Sequence, residues 1–552
     1  MSKENVLGPI LNKPVKPTRR RFIAGAGLAA AGAMWLPHLS EGVPLVDPVA
    51  ANLSSIPQFR FTGEPARQRK SFHDLTDAEL VLLCKAISQM KNGSSVPMSM
   101  SSPRQWDQWV AIHERHCTED GPGVPQVHWS WFFLPWHRAY LWFLERHLGY
   151  ILTHDLGLNE GQSFALPYWD WITRMEIPNT RERETQGKSS PLFGYNLDLE
   201  DMVNNDNLGF DNGALWDGYR GPTLQKPNID PANEITQDSK DHVEETLKFI
   251  APDYIQGILG LPFEYFAGKP VISQKDGQGV LEIGPHNDMH DWVGSRIGTN
   301  RDMGTLRYAA LDPIFFMHHA NIDRIWSWYR KPQPDPDGSP WGSQSYVFAD
   351  VDGSPVSVTV RDVIKSMTNV TYVEPQSPSA ESLRLLSVLQ TTSTTNPVER
   401  SETLVESAGT LGAKPLTVAI SQKDTMKTLL TLETRPGVPP LSLLEIETGA
   451  IAYAKKFSIR VFVNMSDADR RTSITDSHYV GRIGGLDSES RGNEVSRERG
   501  HTFPLMIGSD SNFYKLVRPG EPFKITLVLI GPSANDQKFS IQVKSIKLKV
   551  FE

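Results

Sequence analysis

Residues 128–138 read His128-Trp129-Ser130-Trp131-Phe132-Phe133-Leu134-Pro135-Trp136-His137-Arg138, and the run continues as Ala139-Tyr140-Leu141-Trp142-Phe143-Leu144-Glu145. The two histidines stand nine residues apart, which on one continuous helix would put them on opposite faces. Pro135 removes the difficulty, because proline belongs in the first turn of a helix, so a new helix is expected over 135–154. His128 then lies in the preceding loop and His137 in the first turn, and both rings can turn toward one point.

The chain holds 15 histidines in 552 residues, and they cluster. One group is His113, His116, His128 and His137; the other is His286, His290, His318 and His319. His286 and His290 are four apart and share one helix face. Apolar spacing predicts helices over 75–90, 104–117, 286–293 and 313–330. His113 comes from the second of these, and His319 from the last, with Asp323 one turn on. Four helices presenting histidines inward describe a metal site in a bundle core. Imidazole is the commonest metal ligand near neutral pH, and clusters without carboxylates suit copper, zinc or iron rather than magnesium or calcium. A lone core histidine is ordinarily just hydrogen-bonded, but two tight groups point to metal. His116 and His318 are either ligands or neighbours of ligands.

The fold class expected is mainly α, a four-helix-bundle metal core with long loops followed by a C-terminal β-sandwich-like domain. The helical domain spans 60–335 and includes a loop-rich stretch over 174–240. A short strand-containing connecting region follows over 336–373, including Val356-Ser357-Val358-Thr359-Val360. Residues 374–414, rich in Ser, Thr and Pro, read as an exposed linker. From 415 to 552 alternating runs such as 457–463, 523–530 and 539–551 read as strands of a sandwich. Hydrophobic content of 39%, charged content of 22% and a net charge of −8 fit a soluble globular protein and leave no nucleic-acid footprint.

The N-terminus, residues 1–51, reads as a leader. Thr18-Arg19-Arg20-Arg21-Phe22-Ile23 precedes an apolar run to Trp35, the layout of a signal peptide with paired arginines of the twin-arginine kind. As a membrane anchor the run is short, so no stable span is expected. Cleavage near Ala50-Ala51 and a periplasmic or secreted destination are expected. Two cysteines, Cys84 and Cys117, make no disulfide framework. Cys84 sits in a helical run and reads as a buried thiol.

The stretch 128–138 through Glu145 resembles the first copper signature of tyrosinases. Asp312-Pro313-Ile314-Phe315-Phe316-Met317-His318-His319-Ala320-Asn321-Ile322-Asp323 resembles the second, and Pro167-Tyr168-Trp169-Asp170-Trp171 a further family element. The resemblance covers 70–330. The downstream domain is similar, more loosely, to that of plant polyphenol oxidases. The disulfides common near the N-terminus of plant members are absent, which with the leader points to a bacterial member.

The resemblance implies two copper ions (Cu2+), the first on His113, His128 and His137, the second on His286, His290 and His319, with O2 as co-substrate. It implies a thioether between Cys117 and His128; the alternative is a free thiol. It implies oxidation of o-diphenols to o-quinones and ortho-hydroxylation of monophenols. Glu282 resembles the glutamate that holds a basic water, and Asn287 the asparagine paired with it. Leu306 stands where many plant members place a phenylalanine gate. Small phenolic substrates and O2 are thus the expected partners. The alternatives are an oxygen carrier of the haemocyanin kind, disfavoured by the single pair of copper motifs, and a zinc or di-iron hydrolase. In the plant enzymes the C-terminal domain covers the copper pocket, so the same latency is expected here.

Overall fold

The computed structural model describes residues 55–92, 105–118, 127–173, 215, 245–270, 275–294, 302–334, 340–375, 394–421, 423, 441–452, 457–485, 498–508, 511–518, 521–530 and 539–552. The expected leader over 1–51, its cleavage site and most of the loop-rich stretch after 173 lie outside these residues. No described helix is long and apolar enough to cross a membrane.

Four helices frame the first unit: α1 (Asp77–Asn92), α2 (Trp106–Thr118), α3 (Phe133–Tyr150) and, further along, α4 (Pro252–Leu259). α3 is buried on nearly every side, the pattern of a central helix rather than a surface one. It begins at Phe133, two residues before Pro135. Proline is still tolerated there, because amides of the first turn have no partner inside the helix. His137 consequently sits one turn in rather than in the first turn, with its Nδ1 donating to the Phe133 carbonyl at 2.8 Å. At its far end α3 stops at Tyr150 and gives way to a π-helical turn, Ile151–Asp155, instead of continuing as α-helix to 154.

The fourth histidine-bearing element departs from the expected bundle. Residues Glu282–His286 form a π-helical turn with Pro285 inside it, followed by only seven residues of α5 (Asn287–Val293). Proline donates no amide hydrogen, which breaks the α ladder at that point. The frame is therefore α3 against the equally buried α6 (Ile314–Trp328), with α2 and the short α5 at their sides; a regular four-helix bundle is absent among the described residues. Arg69 ties the pair together. Buried, it reaches Glu145 of α3 at 3.1 Å, Asp323 of α6 at 3.3 Å and the Tyr372 hydroxyl at 2.9 Å. Breaking one partner of such a pair leaves an uncompensated buried charge, so the network holds the two helices in one register.

The supposed connecting region over 336–373 belongs to this unit. β1 (Arg67–Arg69) pairs in parallel with a later strand, Val370–Tyr372, and Ser345–Ala349 forms a hairpin with Pro355–Thr359. Trp341, Tyr346, Phe348, Val356 and Val358 share one core with Trp136 and Phe143 of α3. The expected strand over Val356–Val360 ends at Thr359, whose hydroxyl accepts from the Asp362 amide while the Asp362 carboxylate accepts from the Thr359 amide. That reciprocal cap starts α7 (Val360–Lys365).

The C-terminal unit is a two-sheet sandwich. With β2 (Lys275–Asp276), β3 (Ser345–Ala349), β4 (Pro355–Thr359) and β5 (Val370–Tyr372) in the first unit, the remaining strands are β6 (Glu399–Leu411), β7 (Leu416–Ile420), β8 (Leu441–Ala452), β9 (Phe457–Val463), β10 (Tyr479–Gly485), β11 (Glu498–Ile507), β12 (Phe523–Ile530) and β13 (Ile541–Phe551). One sheet runs β10-β9-β12-β7 and the other β2-β11-β8-β13-β6. Ile446, Phe503, Ile546 and Leu548 of one face pack with Ile459, Val461, Ile525 and Leu527 of the other. The expected linker over 374–414 is corrected here: β6 occupies its last part, paired with β13 from Glu399 opposite Phe551 onward. β6 is an edge strand with mostly charged and hydroxyl side chains, few of them buried, which is how edges avoid further pairing and why its composition reads as linker. The rest of that stretch, 376–393, lies outside the described residues.

Candidate metal centre

Two groups of buried imidazoles face one another in the helical unit: His113, His128 and His137, and His286, His290, His318 and His319. Within each group the ring nitrogens lie within 4.8 Å of one another. The two groups adjoin, with the rings of His137 and His319 stacked at 4.1 Å and those of His128 and His286 6.1 Å apart.

The hydrogen bonds decide where each ring can hold a proton. His137 Nδ1 faces the Phe133 carbonyl, His290 Nδ1 the Met303 carbonyl at 3.0 Å and His286 Nδ1 the Asn287 side-chain oxygen at 2.9 Å. Each acceptor requires Nδ1–H, so a neutral ring presents a bare lone pair at Nε2. Burial pushes the pKa of His113, His128, His286 and His319 well below the ordinary imidazole value, and that of His137 down to about 3. These rings are therefore neutral. Yet His286 Nε2 lies 3.3 Å from His319 Nε2, and His290 Nε2 lies 3.4 Å from it. At most one proton, on His319, can serve all three nitrogens. The Nε2 atoms of His128 and His137 find no hydrogen-bond partner at all. Converging lone pairs buried in the core repel unless a cation lies between them, and nitrogen-only donors suit copper, zinc or iron. The side chains fit a pair of such ions.

His318 is placed inside the second group but on different terms. Trp171 Nε1–H donates to His318 Nδ1 at 3.1 Å. A neutral His318 then carries its proton on Nε2 and has no lone pair to offer there. Of the two adjacent histidines, His319 is the ligand candidate and His318 its neighbour. His116, the other open case, lies tilted against the Trp136 ring at 4.9 Å, outside the first group.

The loop that carries His128 is fixed from both sides. Trp129 adopts the left-handed backbone region, φ 57°, which costs on the order of 1 kcal/mol for a residue with a side chain. Its amide donates to Glu282 Oε1 at 2.7 Å, and its carbonyl accepts from Gly277 at 2.8 Å. Glu282 thus links the segment bearing the second histidine group to the loop bearing the first. Asn287, expected to pair with Glu282, gives its side-chain oxygen to His286 and directs its amide toward the Gly484 carbonyl at 3.5 Å instead. Leu306 is buried in a small cluster with Cys117 and Trp129, beside the first group, and its backbone is hydrogen-bonded to His113. Cys117 is buried, and burial drives its thiol pKa up. Its sulfur lies 3.3 Å from His128 Nδ1 and equally 3.3 Å from His113 Nε2.

Residues 103–331 match the common central domain of tyrosinase. This central region belongs to the tyrosinase and polyphenol oxidase family. The chain is 31% identical over 351 residues to polyphenol oxidase E, chloroplastic, of Solanum lycopersicum, covering 60% of this chain and 53% of that one. It is 30% identical over 348 residues to catechol oxidase B, chloroplastic, of Solanum tuberosum, with the same coverage of 60% and 53%. The chain thus spans about half the length of these curated relatives. In fold it is similar to a latent aurone synthase (polyphenol oxidase), with a TM-score of 0.60, 22% identity, and coverage of 90% of this chain and 92% of that one. It is also similar to latent apple tyrosinase, with a TM-score of 0.58, 20% identity, and coverage of 90% and 100%.

Sequence spacing missed the groups that set the tautomers, because Phe133 and Met303 act through backbone carbonyls, which no residue type reveals. Trp171 stood in view within a quoted motif without its role being legible. Since each bare buried nitrogen costs roughly 1–3 kcal/mol, His319→Leu should leave the metal-free protein melting at no lower temperature than the unsubstituted protein. Added copper should raise the melting temperature of the unsubstituted protein more than that of the variant, which keeps only the first group. A variant that copper still stabilises to the same degree would contradict the ligand role of His319.

Proposed function

We propose that this chain is a dicopper phenol oxidase that uses O2 to convert o-diphenols to o-quinones and ortho-hydroxylates monophenols. The observation that carries the reading is the convergence of six buried imidazoles in two groups whose inward nitrogens have too few protons to satisfy one another. Copper held by His113, His128 and His137 and by His286, His290 and His319 would supply the electron exchange with O2. The rest falls to the chain. Phe133, Met303 and Asn287 hold ring orientations, and the surrounding apolar side chains exclude water. Leu306, smaller than a phenylalanine, lies beside the first group where a phenol ring would enter. A monophenol must lose its hydroxyl proton, and Glu282 is the buried carboxylate that bridges the two histidine groups, so it is the residue read as acting through a held water. Asn287 supports that step through His286 rather than through Glu282.

The sandwich domain is read as a cover. A tethered cover acts at high effective concentration, so modest contacts keep it closed. The tether to cut is 376–398, because β6 begins at Glu399. Copper-loaded protein should form quinone from catechol, with turnover rising after cleavage there, and metal-free protein should form none. Reversible O2 uptake without quinone, before and after cleavage, would make the chain a carrier instead.

The thioether is read from Cys117, whose sulfur touches the His128 ring. Forming it removes the thiol hydrogen and a ring C–H hydrogen, with O2 as the acceptor of two electrons and two protons. The intact mass of copper-loaded protein should fall short of the sequence value by two hydrogens, with Cys117 and His128 in one cross-linked peptide. Alkylation of Cys117 in that protein after denaturation would contradict it.

A further inference from the structure

The segment 275–290 carries Glu282, His286 and His290, and the sandwich domain grips it at four points. β2 pairs in parallel with β11, Lys275 opposite Gly500 and Asp276 opposite His501, so the helical unit contributes an edge strand to the sandwich sheet. Ile283 is buried in the sandwich core beside residues such as Leu444 and Ile459, not in the core of the helical unit. The Asn287 amide points at the Gly484 carbonyl of β10. Asp288, between the two histidines, is ion-paired with Arg482 of β10.

That last pair belongs to a buried network whose charges are divided by unit. Glu245 and Asp288 come from the helical unit, Arg460 and Arg482 from the sandwich. Arg460 Nε donates to Glu245 Oε1 at 2.9 Å, the Tyr479 hydroxyl donates to the same oxygen at 2.9 Å, and Arg482 lies 3.2 Å from Glu245 Oε2. A seven-residue helix behind a proline-broken turn is too short to hold its shape by its own hydrogen bonds. Its order has to come from tertiary contacts: Met289 and Val293 pack in the core of the helical unit, His290 Nδ1 meets the Met303 carbonyl, and the sandwich adds the four points above.

We propose that the sandwich domain, besides its role as a cover, is a clamp that steadies the second metal half-site while it is docked, with Arg482 as its principal positioning residue. The clamp rests on the reading of His286, His290 and His319 as ligands, but its mechanical part does not. Arg482 touches no ligand ring; it fixes Asp288, and Asp288 fixes the turn that aims His286 and His290. The first group depends on that segment less: His113 and His137 stand on α2 and α3, and only the His128 loop meets it, through Glu282 and Gly277.

The test uses the full chain with Arg482→Met, and Arg482→Lys as the conservative variant; Arg400→Ala, which breaks an exposed pair with Glu552 within the sandwich, is the control. In metal-free protein, amide hydrogen exchange over 282–293 should run roughly tenfold faster or more in Arg482→Met, with α6 unchanged, and Arg482→Lys should fall between. In copper-loaded protein, a chelator should strip one of two coppers faster by a similar factor while the other is retained. Unchanged exchange over 282–293 in Arg482→Met would overturn the clamp. Should Arg482→Met fail to fold, the same comparison is made with Arg482→Lys, and exchange equal to that of the unsubstituted chain overturns the proposal. Should the unsubstituted chain bind no copper, the metal reading fails, while the exchange experiment still decides the clamp.

Discussion

Nitrogen lone pairs that face one another in the buried core are the constraint on which this molecule turns. Three ring nitrogens, on His286, His290 and His319, meet within 3.4 Å with no more than one proton among them. Nothing in folding alone favours that arrangement. It has to be imposed by the scaffold, and the scaffold has the means to impose it. α3 and α6 are buried on almost all sides and pinned by Arg69, Glu145 and Asp323, so His137 and His319 cannot move apart without breaking a buried ion pair. Backbone carbonyls then fix ring orientation, as outer hydrogen bonds commonly do for metal-ligating histidines.

The two halves of the centre are built differently. The first stands on long helices and on a loop held in a left-handed turn at Trp129. The second takes His319 from α6 but His286 and His290 from a broken, short segment that the sandwich domain also contacts. Glu282 connects the halves by accepting the Trp129 amide. This division bears on how the sandwich domain is understood. Its contacts with the helical unit include a shared sheet, a shared apolar core and a buried charge network, which together exceed what a passive lid requires.

Much of the centre was legible in the sequence, because its signals are local. The nine-residue spacing of His128 and His137 around Pro135, the four-residue spacing of His286 and His290, and the adjacency of His318 and His319 lead to the two groups that the structure assembles. What spacing does not contain is the partner of each second nitrogen. The choice between His318 and His319 turns on Trp171, 147 residues away from His318. The strand β6 was read as linker because an edge strand is polar for the same reasons a linker is. Residues 341–363 read as a connector because their core partners lie on α3, far back in the chain. The ion pair of Arg482 with Asp288 spans 194 residues and leaves no mark in either neighbourhood.

The central claim is that two ions lie between six imidazoles, three to each, with His318 outside the set. Diffraction from copper-loaded crystals, collected at the copper absorption edge, tests it most directly. The account predicts two adjacent anomalous peaks, one bounded by His113, His128 and His137 and the other by His286, His290 and His319, with the Trp171–His318 hydrogen bond intact. A single peak, or a peak bonded to His318 in place of His319, would contradict it.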